Sequence, residues 1–141
     1  MNPLKPQRSQ LLHTLLSALL RMPLRYQRHN HHLNIALLLI YGAAVTALSL
    51  KTTVEFVPLF YNDKIAHFFT YSLFTLLAWR LTRSNRQYIT YATLVFSYSV
   101  LIEFIQPYTG RMLSGWDMVA NGLGVSLMYL ALYRVSYSTA A

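Results

Sequence analysis

Apolar residues fall into four long runs that are separated by short polar stretches. The runs cover residues 33–50, 65–81, 88–106 and 116–133. Each is close to the length that a helix needs to cross a bilayer, which is roughly 17–25 residues. Because the connections are short, neighbouring helices are expected to run antiparallel. The pattern therefore predicts an all-α polytopic membrane protein with four transmembrane helices in an antiparallel bundle.

The region before the first run has a different pattern. Residues 9–22 place polar side chains on one side of a helix and leucines on the other, as in helices that lie in the membrane interface. A signal peptide is not expected, because His13 interrupts the apolar stretch and no small-residue cleavage pattern follows before Arg21. The predicted organisation is a cytoplasmic amphipathic helix with a basic linker at 1–32, a transmembrane domain at 33–134 and a cytoplasmic tail at 135–141.

The charge distribution indicates an orientation in the membrane. The chain has 12 Lys and Arg against 4 Asp and Glu, a net charge of +8, and the basic residues flank the apolar runs, which favours membrane topology over nucleic-acid binding. With the N-terminus inside, the cytoplasmic basic residues are Lys5, Arg8, Arg21, Arg25, Arg28, Arg80, Arg83, Arg86 and Arg134, and the outer ones are Lys51, Lys64 and Arg111. This asymmetry predicts that both termini are cytoplasmic. The chain has no cysteine, which excludes thiol chemistry and cysteine zinc sites.

Polar clusters interrupt the outer ends of three predicted helices. Ionisable groups inside a membrane are costly and usually mark a site. Asp63, His67 and Tyr71 are spaced to share one helix face, as are Asp117 and Asn121. Glu103 and Gln106 form a third pair on the helix between them, and Arg111 lies in the following loop. These residues and Lys64 are expected to meet in one cluster facing the outer side of the membrane.

Glu103 lies one turn inside the end of its apolar run. A carboxylate there is expected to seek a cation among His67, Lys64 and Arg111. Arg111 could serve purely as its structural counter-ion.

Purely structural roles could also explain the other residues of the polar cluster. Asp63 could be a helix N-cap, and Ser114–Asp117 fits a capping box, although a cap does not explain His67 or Asn121 one turn further in. Lys64 could be an interfacial anchor.

Hydrogen bonding between helices could explain His67, Gln106 and Tyr71. Gly122 and Ser126 form a small-xxx-small pair that could let the fourth helix pack closely. Trp79 and Tyr88, near the ends of their runs, are expected to be interfacial aromatics.

The ordered set of polar residues resembles the VanZ-like membrane proteins. The matching pattern is Asp63-Lys64-x-x-His67-x-x-x-Tyr71, Glu103-x-x-Gln106, Arg111 and Asp117-x-x-x-Asn121-x-x-Gly124, within residues 35–134. The resemblance implies a small multi-pass protein of the bacterial cytoplasmic membrane. The family is named for a member associated with resistance to the glycopeptide teicoplanin. Residues 1–32 do not match the pattern.

Two functions for the cluster remain open. In the first, the protein binds or modifies an anionic lipid or lipid-linked cell-wall precursor at the outer face. Lys64 and Arg111 would hold phosphate, and Gln106 and Asn121 would orient the headgroup, with Tyr71 as a further binding residue.

In the second, the protein is an intramembrane enzyme acting on such a lipid. His67 would be the general base, tuned by Asp63 or Glu103, with Asp117 as a further catalytic candidate and Arg111 stabilising charge. A divalent metal held by the same histidine and the three carboxylates is a variant, but an O/N ligand set is not specific, so we assign no metal ligand and infer no cofactor.

A transporter subunit is a more distant interpretation, because the sequence has no inverted repeat and no polar stripe that continues to the cytoplasmic half of a helix.

Overall fold

The computed structural model describes residues 30–51 and 63–137, with the backbone alone for 134–137. Regular structure in these residues is entirely helical, so the all-α prediction with four long helices is confirmed. The helices are α1 (His31–Ser49), α2 (Asp63–Trp79), α3 (Asn85–Ile105) and α4 (Gly115–Tyr137), and a 3-10 helix (Gln106–Thr109) follows α3. Helix α4 extends into the segment predicted as a tail. The predicted amphipathic helix at 9–22 and the linker after it lie outside the described residues.

Local signals explain where the helices begin and end. The hydroxyl of Ser84 accepts a hydrogen bond from the backbone N–H of Gln87 at 3.3 Å, and so caps α3. After the 3-10 helix the chain turns at Gly110, whose φ of 84° is readily adopted by glycine. The hydroxyl of Ser114 accepts from the backbone N–H of Asp117 at 3.3 Å and caps α4. The capping that the sequence predicts at Ser114 is therefore present.

Helix α2 lies at the centre of the bundle and makes its most extensive contacts with α4. The two backbones approach closely at Gly124: a Cβ added there would clash with the carbonyl oxygen of Phe68. The hydroxyl of Ser72 donates to the Gly124 carbonyl at 3.1 Å. Gly122 instead faces a Phe96 side chain, and Ser126 is exposed. The expected close packing of the fourth helix therefore occurs, but at Gly124 rather than through Gly122 and Ser126.

Tyrosine hydroxyls connect the helices through backbone carbonyls. Tyr41 of α1 donates to Thr70 of α2 at 3.0 Å, and Tyr98 of α3 donates to Gly42 of α1 at 2.9 Å. Tyr88 of α3 donates to Met128 of α4 at 3.1 Å. Tyr88 and Trp79 are buried in a small core cluster with Leu132, so these two aromatics are not the interfacial anchors that the sequence predicts.

The exterior of the bundle is strongly apolar. Exposed large apolar side chains occur on all four helices: Leu39, Ile40 and Leu48 on α1; Ile65 and Phe69 on α2; Ile89, Leu94, Leu101 and Phe104 on α3; and Trp116, Leu123, Leu127 and Leu130 on α4. A soluble monomer rarely exposes so much contiguous apolar surface.

Two helices of the described part of the chain are long and apolar enough to cross a membrane: α1, and α3 together with its 3-10 extension to Thr109. Helix α2 has 17 residues, and α4 is long but less apolar because it carries Asp117, Asn121 and three glycines. The polar residues that form the cluster thus lower the apolar character of the other two predicted spans.

Candidate functional site

The predicted polar residues meet at one end of the bundle. Asp63 is the first residue of α2, Asp117 lies in the first turn of α4, and Glu103 lies in the last turn of α3. Helix α3 runs antiparallel to both neighbours, so its C-terminal end lies beside their N-terminal ends. The antiparallel arrangement therefore brings together three carboxylates that are far apart in the sequence.

His67 is the centre of this cluster and is about nine-tenths buried. Its Nδ1 lies 3.0 Å from Oδ1 of Asn121 and 3.6 Å from Oε1 of Glu103. Its Nε2 lies 3.8 Å from Oδ1 of Asp63 and 3.7 Å from Oδ2 of Asp117. Because an amide oxygen can only accept, Nδ1 carries the proton in the tautomer that makes this hydrogen bond. The ring is thus surrounded by acceptors on both edges.

Lys64 forms the closest ion pair of the cluster. Its Nζ lies 2.7 Å from Oδ1 of Asp117 and 3.7 Å from Oδ2 of Asp63. The Lys64 side chain is half exposed, whereas that of Asp117 is buried. The hydrogen bond to Asp117 raises the pKa of Lys64, so the ammonium group stays charged at the rim of the site.

Several fully buried polar atoms behind His67 form no hydrogen bond. They are both carboxylate oxygens of Glu103, both amide atoms of Gln106 and Nδ2 of Asn121. All three residues have 0% exposure. His67, Asp117 and Arg111 act on the Glu103 carboxylate electrostatically, and the backbone N–H of Ser114 approaches it. Buried polar groups in native proteins are usually paired, so this concentration of unsatisfied groups is unusual.

Arg111 and Tyr71 lie at the edges of the cluster. Nη1 of Arg111 donates to the backbone carbonyl of Ser49 at 3.0 Å, and within the described residues Arg111 forms no ion pair. Arg111 therefore closes the C-terminal end of α1. Tyr71 is buried in the core cluster, where its ring stacks on Phe74 with centroids 6.3 Å apart. The expected cation for Glu103 is thus His67 if its ring is protonated, because Lys64 pairs with Asp117.

Two contributions to the site, from Ser49 and Ser72, were not predicted from the sequence, and Gly124 was predicted as a motif residue without its packing role. The Ser49 carbonyl positions Arg111, and the hydroxyl of Ser72 together with the bare backbone of Gly124 sets the distance between α2 and α4. Gly124 and Ser72 are small residues on facing helices, which is a recognisable packing signal. The acceptor on Ser49 is a backbone atom, so no side-chain pattern points to it.

The side chains of the cluster are suited to two kinds of chemistry, proton abstraction and metal binding. An unprotonated Nε2 of His67 could take a proton from a substrate, with the imidazolium stabilised by the carboxylates. Asp63, His67 and Asp117 also each offer a ligand atom, and these atoms lie within 4.8 Å of one another. Glu103, which completes the metal variant considered from sequence, faces the Nδ1 edge of the ring instead.

The fold and the site together define an all-helical protein with an apolar exterior and a buried polar cluster at one end. The sequence model of the VanZ/LLP1 family matches residues 9–136. The chain therefore belongs to the VanZ-like family, and the match extends further towards the N-terminus than the pattern within 35–134. Family membership and the two long apolar helices are consistent with a membrane protein. No significant match was found among curated proteins or among solved structures.

Proposed function

We propose that the protein is a multi-pass protein of the bacterial cytoplasmic membrane that binds an anionic lipid or a lipid-linked cell-wall precursor. The binding site is the polar cluster at the outer ends of α2, α3 and α4. Both termini lie in the cytoplasm. The proposal extends to a contribution to glycopeptide resistance, which rests on the family resemblance alone.

The unsatisfied amides behind His67 are the main support for a ligand. Nδ2 of Asn121 and Nε2 of Gln106 are hydrogen-bond donors that are fully buried and have no acceptor. Leaving such a donor buried and unpaired costs about 1–3 kcal/mol. Groups of this kind are expected where a ligand supplies the missing partners, and phosphate oxygens accept hydrogen bonds strongly.

The surroundings of the site favour a lipid as the source of that phosphate. Phe69, Phe104 and Trp116, near the outer ends of three helices, are exposed and would contact acyl chains. Lys64 at the rim carries a charged ammonium group that is half exposed. Arg111, anchored at the end of α1, adds a second cation beside the cluster.

The test compares lipid selectivity in mixed micelles by native mass spectrometry. The parent is expected to retain phosphatidylglycerol over phosphatidylcholine, and the double variant Lys64→Gln/Arg111→Gln is expected to lose this preference. The matched control Arg83→Gln/Arg86→Gln removes the same charge at the other end of the bundle, where both side chains are exposed, and should keep it. Should Lys64→Gln/Arg111→Gln fail to fold, Lys64→Arg/Arg111→Lys keeps both cations and should bind. A preference that survives loss of both cations contradicts the proposal.

A second candidate is an intramembrane enzyme acting on the headgroup, favoured by the position of His67. Its Nε2 faces two carboxylates and its Nδ1 is fixed by Asn121, an arrangement suited to a general base. Incubation with an anionic lipid extract followed by mass spectrometry would then show a product. The variant His67→Gln should lose this product while lipid selectivity is kept. Product formation by His67→Gln would exclude this candidate.

A further inference from the structure

The three carboxylates of the cluster have too few cationic partners. In the described part of the chain, Lys64 is the residue of fixed positive charge that forms an ion pair with them, at 2.7 Å from Asp117 and 3.7 Å from Asp63. Glu103 is fully buried, and its ion-pair partner in the described residues is His67, at 3.6 Å. Lys64 contacts one oxygen of Asp63 and one of Asp117, and the second oxygen of each carboxylate lies beside Nε2 of His67. Buried charges are normally paired or coordinate metals, and in the described residues Oδ2 of the buried Asp117 has no lysine or arginine partner.

The orientation of the His67 ring points to where a further cation would lie. In the tautomer in which Nδ1 donates to Oδ1 of Asn121, 3.0 Å away, Nε2 carries the lone pair of the ring. This lone pair faces Oδ1 of Asp63 at 3.8 Å and Oδ2 of Asp117 at 3.7 Å. Three acceptor atoms that converge without a donor between them repel one another unless a cation lies among them.

The separations fit a metal ion. Ligand atoms bound to one ion at about 2.1 Å stand roughly 3–4 Å apart when they are neighbours. The two distances from Nε2 lie in this interval, and all three ligand atoms are within 4.8 Å of one another. The hydrogen bond on the other side of the His67 ring also resembles that of known metal sites. In those sites the nitrogen that does not bind the metal donates to an oxygen acceptor. Asn121 supplies that acceptor.

We infer that Asp63, His67 and Asp117 bind one divalent transition-metal ion, such as Mn²⁺ or Zn²⁺, at the outer end of the bundle. One imidazole and two carboxylates suit these ions better than the all-oxygen sets of Ca²⁺ and Mg²⁺. Three protein ligands leave coordination positions open. Asp117 binds the ion through Oδ2 and Lys64 through Oδ1, so the same carboxylate links the ion to the ammonium group.

The metal site stands on this geometry alone, and its role in headgroup binding rests on the function proposed above. A divalent ion with open positions would accept a phosphate oxygen directly. Lys64, 2.7 Å from Asp117, would contact the same phosphate from the rim. The ion would thereby let an acid-rich cluster hold an anionic headgroup, because it neutralises the carboxylates that would otherwise repel it.

Titration of the purified full chain with Mn²⁺ alone, followed by electron paramagnetic resonance of the free ion, tests the site. The chain should carry a purification tag without histidine. The parent is expected to bind one Mn²⁺ per chain, and Zn²⁺ should displace it. Asp63→Asn is expected to weaken binding at least about 10-fold, since even outer groups of metal sites change affinity by about 10–100-fold. Because the Asp63 side chain is half exposed, this variant should fold, and its thermal unfolding should match the parent.

Two control variants separate the site from unspecific binding. Glu55→Gln removes one carboxylate elsewhere in the sequence, and His31→Ala removes one exposed histidine. Both should bind Mn²⁺ like the parent. Absence of saturable binding, or equal binding by Asp63→Asn and the parent, overturns the metal site.

Repeating the lipid selectivity assay with and without Mn²⁺ separates the two proposals. If the parent binds Mn²⁺ but shows no preference for phosphatidylglycerol under either condition, the proposed function fails and the metal site stands. If the preference persists without metal and in Asp63→Asn, and Mn²⁺ does not bind, the metal site fails and the proposed function stands. A preference that appears only with Mn²⁺ supports both.

Discussion

The environment of His67 depends on one neutral neighbour. Asn121 is fully buried, and its Oδ1 lies 3.0 Å from Nδ1 of His67 while its Nδ2 has no acceptor. The amide oxygen of Asn121 thus holds the Nδ1 edge of the His67 ring. The amide nitrogen has no partner, as expected of a group that would bind the proposed ligand.

Replacing Asn121 therefore tests how the ring is held. Asn121→Leu removes the acceptor for Nδ1 and keeps a side chain of similar size. Mn²⁺ affinity is expected to fall about 10–100-fold, as for other residues that orient a ligating histidine, and titration of the purified variant measures it. Ser126→Leu, at an exposed position of the same helix, should leave the affinity unchanged. Equal affinity of Asn121→Leu and the parent would show that the amide does not position His67.

At the scale of helices, the site depends on how closely α2 approaches α4. The contact at Gly124 and the hydrogen bond from Ser72 fix this approach about two turns from the ion pair between Lys64 and Asp117. The added Cβ would meet backbone atoms of Phe68, which cannot move aside as a flexible side chain would. The helices would have to separate.

Gly124→Ala is accordingly expected to lower the free energy of unfolding by about 1–3 kcal/mol, the range for overpacked interiors. Thermal and denaturant unfolding in detergent would measure the change. The control is Gly115→Ala in the first turn of α4, where an added Cβ meets nothing within 4 Å. If the two variants are equally stable, α2 and α4 do not approach each other closely at Gly124.

The sequence predicts the positions of the helices more accurately than the contacts between them. Continuous apolar runs place the four helices to within a few residues, because length and composition alone define a span. The rotation of each helix is set by packing, which the runs do not encode. Tyr88 and Trp79 therefore turned out to be core residues, and the close contact of α4 uses Gly124 instead of Gly122 and Ser126.

The sequence predicts which residues form the candidate site, but not which of them pair with one another. The spacing of Asp63 and His67, and that of Asp117 and Asn121, predicts shared faces, and the structure brings these residues together. Whether Lys64 would pair with Asp117 or Glu103 depends on distances of a few ångströms between helices. Arg111 binds a backbone carbonyl of α1, an acceptor that every residue offers.

At the scale of the whole molecule, the apolar exterior and the polar end suggest an orientation. Three basic residues of the sequence fall on the site side of the predicted topology, namely Lys51, Lys64 and Arg111, against nine on the other side, which include Arg80, Arg83 and Arg86 between α2 and α3. An excess of basic residues favours the cytoplasmic side. The site is therefore expected to face away from the cytoplasm.

Because the chain has no cysteine, single cysteines can report this orientation directly. Met112→Cys lies in the connection before α4, where the side chain is 87% exposed, and should react with a membrane-impermeant maleimide on intact spheroplasts. Arg83→Cys, in the connection between α2 and α3, should react only after permeabilisation. The reverse pattern, or labelling of both in intact spheroplasts, would contradict the proposed topology.

The central claim is that the buried cluster serves a ligand rather than the stability of the bundle. Glu103 tests it most directly, because its carboxylate is fully buried and its ion-pair partner in the described residues is His67. A group retained for function is often destabilising, and its removal can raise stability. Ile102, its buried neighbour on the same helix, provides the control, since Ile102→Ala should cost about 2–5 kcal/mol.

The measurement is the free energy of unfolding of Glu103→Leu, Ile102→Ala and the parent in detergent, after treatment with a chelator. We predict that Glu103→Leu is as stable as the parent or more stable, while Ile102→Ala is clearly destabilised. His67→Ala, measured in parallel, should likewise retain parental stability. A loss of several kcal/mol in both Glu103→Leu and His67→Ala, the effect of breaking a buried ion pair, would show that the cluster holds the helices together and would contradict the account.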